Sequence, residues 1–286
     1  MTPLVVPAPR FDLRLTLESG QFFRWSADDD GFTVIRGLRL FRVRPRRDAL
    51  EVVGADRWFV REFFSLDHDL AATERALRRD RRLWPALDAC PGLRFLRQDP
   101  WECTAAFICS IASNIPRIAG NVSDLARGYG RPVRLGDASW HSFPRPADIP
   151  SEGELRRLRL GFRARYLAQA ARLAAGGVLE EIAALPYEEA RETLMVLPGV
   201  AEKVADCVLL FAYGRLQAFP VDTWIRRVMI ERYFEGRRVP DRAIRAFAQE
   251  RWGDLAGYAQ QILYVWSRAT ARKGRRASLP ARSLSE

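Results

Sequence analysis

Of the 46 basic side chains in this 286-residue sequence, only Lys203 and Lys273 are lysines; every other one is arginine. Such a bias follows from gene base composition, under which surface cations drift to arginine. A retained lysine then marks a position where arginine does not serve. Arginine stays protonated in proteins, whereas lysine can give up its proton and act as a nucleophile. Lys273 sits in the run Lys273-Gly274-Arg275-Arg276 and reads as tail charge. Lys203 lies in the first turn of a helical run, Glu202 to Tyr213, just after a Pro198-Gly199 turn. The positive pole of a helix N-terminus disfavours an ammonium and, with burial, favours the free amine that a nucleophile needs.

A carboxylate completes the chemistry. Asp222 stands in Pro220-Val221-Asp222-Thr223-Trp224-Ile225, ahead of a helical run with Arg226, Arg227 and Met229, and reads as its N-cap. A capping carboxylate is fixed in place and ionised, which suits a developing positive charge. Tyr187–Leu197 is amphipathic and meets the Glu202 helix through Pro198-Gly199-Val200-Ala201. Two helices joined so tightly form a hairpin whose exposed N–H groups suit a phosphate. A plainer reading keeps the hairpin as packing, Asp222 as a cap alone and Lys203 as a solvent-facing side chain.

These residues need a scaffold, and the rest of the chain describes one. Hydrophobic residues make up 48% and charged residues 28%, as in a globular chain with a sizeable core. No apolar run is long enough to span a bilayer, and the first residues lack a basic n-region, so neither a membrane protein nor a secreted one is expected. Cys90, Cys103, Cys109 and Cys207 form no CxxC pair, and only His68 and His141 are histidines. A disulfide framework, a zinc ribbon, an iron–sulfur cluster and a catalytic metal are therefore not expected, and a reducing compartment is. The net charge of +11 points to an anionic partner, nucleic acid first. Part of it sits in residues 267–286, which hold Arg268, Arg272, Lys273, Arg275, Arg276 and Arg282 against Glu286 alone.

The alternation of Leu13, Leu15 and Leu17 predicts a strand, as do Phe32–Val43 and Leu50–Val53. Trp58–Ser65 and Leu70–Trp84 read as helices, the second stopping at Pro85. From residue 99 the pattern is helical. Asp99-Pro100-Trp101-Glu102 and Ser151-Glu152-Gly153-Glu154 are helix starts, and Phe162–Ala175 runs as a helix to Gly176-Gly177. The Gly- and Pro-rich segment 128–150 reads as a linker. The expectation is an α+β chain: an N-terminal domain with an antiparallel sheet and helices over 1–98, a mostly α-helical region over 99–266, and a basic, disordered tail over 267–286.

The combination Leu197-Pro198-Gly199-Val200 with Lys203-Val204-Ala205-Asp206, followed by Pro220-Val221-Asp222, resembles the helix-hairpin-helix superfamily of DNA base-excision glycosylases, in the branch that pairs a nucleophilic lysine with an essential aspartate. Other segments narrow the resemblance to the 8-oxoguanine DNA glycosylase family. They are Ser19-Gly20-Gln21-Phe22-Phe23-Arg24-Trp25, Leu96-Arg97-Gln98-Asp99-Pro100, Phe107-Ile108-Cys109-Ser110, Leu160-Gly161-Phe162-Arg163-Ala164-Arg165-Tyr166 and Gly257-Tyr258-Ala259-Gln260. The resemblance covers roughly 11–266.

It implies a bifunctional glycosylase and abasic-site lyase acting on a base flipped out of duplex DNA. Lys203 would attack C1′, expel the base and form a Schiff base that permits β-elimination. Asp222 would stabilise the oxocarbenium-like sugar. The Gly20 carbonyl would accept from N7–H, which 8-oxoguanine has and guanine lacks. Gln260 and Tyr264, four apart on a helix and so on one face, would read the Watson–Crick edge and stack on the base, with Cys207 on its other side. Arg117 and Arg163 match positions that read the unpaired cytosine, and Phe162 stands where the family usually has a wedging tyrosine. Asn114, Gly199, Ala201 and Trp224 join the DNA contacts. The resemblance also allows a monovalent cation on the carbonyls of Met195, Leu197 and Val200; no cofactor is implied. The expected partner is damaged double-stranded DNA, bound by a monomer in the cytoplasm at the nucleoid of a bacterium or in the nucleus of a eukaryote.

Three further positions depart from the family pattern. Ala201 replaces the second hairpin glycine, Trp224 replaces a histidine, and Ala112 replaces an asparagine that can hydrogen-bond to the estranged base. A bacterial-type variant with relaxed opposite-base selectivity would fit. Two rivals stand beside this reading: a monofunctional alkylpurine glycosylase in which Asp222 assists water, and a non-catalytic DNA-binding module.

Overall fold

The computed structural model describes residues 2–277, with side chains as far as Ala271. β-Branched and aromatic residues dominate the early segments, which pair into a five-stranded antiparallel sheet. Its strands are β1 (Leu4–Pro7), β2 (Trp25–Asp28), β3 (Gly31–Arg36), β4 (Arg39–Arg46) and β5 (Ala49–Val53), in the order β1-β5-β4-β3-β2. Val34 opposes Phe41, and Val43 opposes Val52, in register across neighbouring strands. These side chains are buried with Phe59, Val60 and Phe63 of a helix, Arg57–Phe63, laid on one face of the sheet.

Between β1 and β2, the leucines expected to form a strand form α1 (Leu13–Glu18) instead. Leu13 and Leu17, four apart, also share a helical face, and the cap decides: Asp12 accepts from the Leu15 N–H at 2.8 Å. Leu13, Thr16 and Leu17 are then the buried face. After α2 (Arg57–Phe63), the run expected to be one helix divides into α3 (Leu70–Leu77) and α4 (Trp84–Ala89). Pro85 does not stop a helix; it sits in the first turn of α4, where its missing N–H costs nothing. The buried apolar side chains of both helices, which precede residue 98, pack into the second core.

That layer is helical. Asp99 caps α5 (Pro100–Cys109) and Asn114 caps α6 (Ile115–Tyr129). The segment read as a linker folds into a hairpin, β6 (Pro132–Leu135) and β7 (Ala138–His141), whose Leu135 packs against Gly54 beside the main sheet. Then come α7 (Glu152–Arg157) with its Ser151–Glu154 capping box, α8 (Arg163–Ala174), α9 (Val178–Ile182), α10 (Tyr187–Met195), α11 (Glu202–Phe211), α12 (Thr223–Tyr233) and α13 (Asp241–Trp252). The last helix, α14 (Ala256–Ala277), continues well beyond residue 266, so the first part of the tail expected to be disordered is helical. Residues 278–286 of that tail lie outside the described residues. Among the described residues no helix is long and apolar enough to cross a membrane.

Candidate active site

The hairpin of α10 and α11 is held by one buried acid. Asp206, fully buried, accepts from the Tyr187 hydroxyl and the Arg191 Nε, both at 2.9 Å. Glu202 adds pairs to Arg191 at 3.2 Å and to Arg245 of α13 at 2.8 Å. Burial pushes the Asp206 carboxyl up to about 6 against the pull of Arg191. Gly199 makes the turn with φ of +84°, and a Cβ there would come within 2.8 Å of the Tyr166 Cβ. Ala201, in extended backbone, caps α11 without a side-chain hydrogen bond and leaves the helix's first N–H groups beside open space.

That turn places Lys203 on a cavity of about 1070 Å³. The Lys203 Nζ donates to Ser110 Oγ at 3.0 Å and stands 5.0 Å from the centroid of the Phe107 ring. Ser110 ends α5 and donates its own proton to the Phe107 carbonyl at 2.6 Å, which leaves its lone pairs facing the lysine. Asp222 lines the same cavity from the start of α12, its Oδ1 accepting from the Ile225 N–H at 2.8 Å. Burial raises the Asp222 carboxyl above the usual aspartate range; the Ile225 N–H and the Lys203 charge pull against it without cancelling it. Capping alone therefore does not set its charge.

Of the other expected residues, Asn114, Trp224, Tyr264, Gly199 and Ala201 line the cavity. Gly20 is drawn in from the N-terminal layer. The neighbouring Gln21 accepts from the Leu96 N–H at 2.8 Å and donates to the Arg94 carbonyl at 2.9 Å, and Gln98 donates to the Gln21 carbonyl at 2.6 Å. Gly20 has φ of +86°, and a Cβ would lie 2.6 Å from Ile115 Cδ1, a cavity residue. Gln260 is buried one turn before Tyr264 on α14. Its Nε2 donates to the Pro220 carbonyl at 3.2 Å, while its Oε1 has no hydrogen-bond partner. Cys207, one turn beyond Lys203, is buried, and burial pushes its thiol up to about 12, so it is neutral.

The wall from Ser110 to Arg117 differs from expectation. Asn114 uses its side-chain oxygen to cap α6, accepting from the Arg117 N–H at 3.0 Å. Arg117 is exposed in the first turn. Arg163, matched to a cytosine-reading position, points inward and is 2% exposed. Its Nε donates to the Ile111 carbonyl at 2.6 Å and its Nη2 to the Ala112 carbonyl at 2.7 Å. Phe162 covers the guanidinium at 4.7 Å and is itself 50% exposed. Ala112 has φ of +46°, a left-handed conformation that asparagine takes more readily than alanine.

Three residues went unassigned in the sequence. Ser110 and Asp206 lie inside motifs that resemble the family, yet their contacts join distant segments. Arg268, counted with the tail, lines the cavity. The proposed cation trio also faces it: no hydrogen bond reaches the Met195 and Val200 carbonyls among the described residues, and the Leu197 carbonyl accepts one, from the Val200 N–H at 2.9 Å. Backbone oxygens with free lone pairs are the kind of donor a hard cation takes.

Residues 3–104 match the family described as 8-oxoguanine DNA glycosylase, N-terminal domain. A probable N-glycosylase/DNA lyase of Methanothermobacter thermautotrophicus is 31% identical, with 92% of this chain and 95% of that protein covered. The structure of MBOgg1 in complex with a low-affinity DNA ligand superimposes with a TM-score of 0.91 at 32% identity, over 95% of this chain and 97% of that one. The Clostridium acetobutylicum 8-oxoguanine glycosylase/lyase, bound to duplex DNA with cytosine opposite the lesion, gives 0.88 at 30% identity, over 91% and 93%. With its lysine and aspartate on one cavity beside a helical hairpin, and with relatives along nearly its whole length, this chain belongs to the 8-oxoguanine DNA glycosylase family.

Proposed function

We infer that this protein excises 8-oxoguanine from duplex DNA and cleaves the strand at the resulting abasic site. It is a DNA N-glycosylase with lyase activity. The observation that carries the mechanism is the shared cavity of Lys203 and Asp222, with the uncapped N-terminus of α11 at its rim.

The amine of Lys203 attacks C1′ of the flipped nucleotide. The new N–C bond forms as the C1′–N9 bond breaks, its electron pair leaving with the purine. The nitrogen then sheds a proton, the departing base takes one up, and ring opening gives the Schiff base from which β-elimination cuts the strand. Asp222 faces the sugar as positive charge grows there and, being partly desolvated, acts with more force than a carboxylate in water. Ser110 orients the lysine.

For the base, the Gly20 carbonyl accepts from N7–H, and the partnerless Oε1 of Gln260 takes a donor from the Watson–Crick edge. Tyr264 stacks on one face and neutral Cys207 packs on the other. The hairpin around Gly199 and Ala201 takes a phosphate, Trp224 packs near the flipped nucleotide, and Phe162 wedges into the duplex. Arg117 reaches the opposite strand from a rim built by Asn114. Arg163 holds the Ile111–Ala112 turn in shape and contributes through it. A cation on Met195, Leu197 and Val200 would supply positive charge for the same phosphate. The protein acts as a monomer, wherever its cell keeps its DNA: the cytoplasmic nucleoid or the nucleus.

The test separates the two activities on a duplex with one 8-oxoguanine opposite cytosine. Released base and cut strand are both expected. Base release with no cutting beyond that of a heat-treated control would assign the monofunctional rival. Binding with neither would assign the DNA-binding module.

A further inference from the structure

Arg268 was set among the tail charges by its sequence, yet its side chain is part of the cavity. It lies on α14 one turn beyond Tyr264 and two beyond Gln260, so all three share one face. Its guanidinium carbon is 5.1 Å from the centroid of the Tyr264 ring. Its Nη1 would be 3.3 Å from a Cβ on Gly20, which places it beside the residue whose carbonyl faces N7–H. Among the described residues it enters no ion pair. Half-buried and able only to donate, the guanidinium borders the space assigned to the flipped base.

We propose that Arg268 is a catalytic residue that contacts the flipped 8-oxoguanine and stabilises the negative charge that collects on it as it leaves. The inference rests on the excision reaction described above. When the C1′–N9 bond breaks, its electron pair goes to the purine, and the charge spreads to the ring carbonyl oxygens before a proton arrives. A fixed cation at a partly desolvated oxyanion lowers that barrier more than it favours the neutral substrate. Lys203 and Asp222 act on the sugar; Arg268 acts on the leaving group. The abasic-site reaction has no base to expel, so only the weaker pull of Arg268 on the Asp222 carboxyl remains there.

The experiment compares native enzyme, Arg268→Leu and Arg268→Lys in two single-turnover reactions. One is base release from 8-oxoguanine opposite cytosine; the other is cleavage at a preformed abasic site. In the leucine variant, base release is expected to slow by about 10²-fold, the scale for losing one preorganised charge-stabilising donor, while abasic-site cleavage falls far less. Arg268→Lys is expected to recover most of the loss. Equal losses in both reactions would overturn the proposal in favour of a structural role, with abasic cleavage serving as the check on folding. Unchanged or faster base release would also overturn it and make Arg268 a plug in the empty base site. If the native enzyme cuts abasic sites but releases no 8-oxoguanine, the excision reading itself falls, and the proposal with it.

Discussion

The two walls of the cavity are built on opposite principles. On one, Lys203 and Asp222 extend from the first turns of α11 and α12, positioned by a buried acid clamp and a helix cap, with their reactive atoms toward open space. On the other, past Ser110, which reaches across to Lys203, the turn from Ile111 to Asn114 is tied up mostly in its own backbone. Arg163 donates inward to two carbonyls, Asn114 caps its own helix, and Ala112 offers a methyl group from a left-handed backbone. The first wall holds side chains free for chemistry, whereas the second keeps few for reading a base. This contrast predicts a tightly held reaction and a loose choice of opposing base.

Changes on the chemical wall should be the most severe. Lys203→Gln removes the nucleophile, and excision is expected to fall by at least about 10³-fold in single-turnover kinetics while the melting temperature barely moves. Asp222→Asn is expected to slow base release by about 10²–10³-fold, the range for losing one preorganised electrostatic group. The same residue sets a pH dependence. Its carboxyl titrates above the usual aspartate range, and the active form is the anion, so base release should decline on acidification before an ordinary aspartate would protonate. That acid limb is expected to vanish in Asp222→Asn; its persistence would move the titration to another group.

The opposite wall should answer differently. Arg163→Ala leaves two carbonyls without their donor, and a loss of about 2–3 kcal/mol in unfolding free energy is expected, with catalysis opposite cytosine far less affected than by Lys203→Gln. A variant of native stability that loses only cytosine preference would show that Arg163 turns outward to read the base. The smallest effect belongs to Ala112→Asn. Asparagine accepts the left-handed backbone, so a gain of up to about 1 kcal/mol in stability is expected. It also restores a side chain able to bond the estranged base, so the preference for cytosine over the other three opposing bases should rise about fivefold for one hydrogen bond gained. Equal excision across all four bases, before and after the change, would remove Ala112 from the account of selectivity.

The same contrast explains what the sequence made legible. Caps are local, and Asp99, Ser151 and Asp222 all begin helices with their side chains bonded to the third residue on. The Lys203–Asp222 pairing was readable because residue type and motif carried it. Direction was not readable: the resemblance that placed Arg163 near the opposing base could not say which way the guanidinium turns. Leu13 and Leu17 fit a helix as well as a strand, and the bond between Asp12 and the Leu15 N–H decides for the helix. Ser110 meets Lys203 across 93 positions, a distance at which pattern says nothing. Arg268 was hidden by its company, a run of charges that continues a helix instead of leaving it.

The central claim is that Lys203 bonds to the sugar. Borohydride reduction of the enzyme turning over a duplex with one 8-oxoguanine opposite cytosine, followed by peptide mapping, tests it directly. The account requires a covalent adduct at Lys203, absent in Lys203→Gln. An adduct at any other amine, or one that survives the substitution, would contradict it.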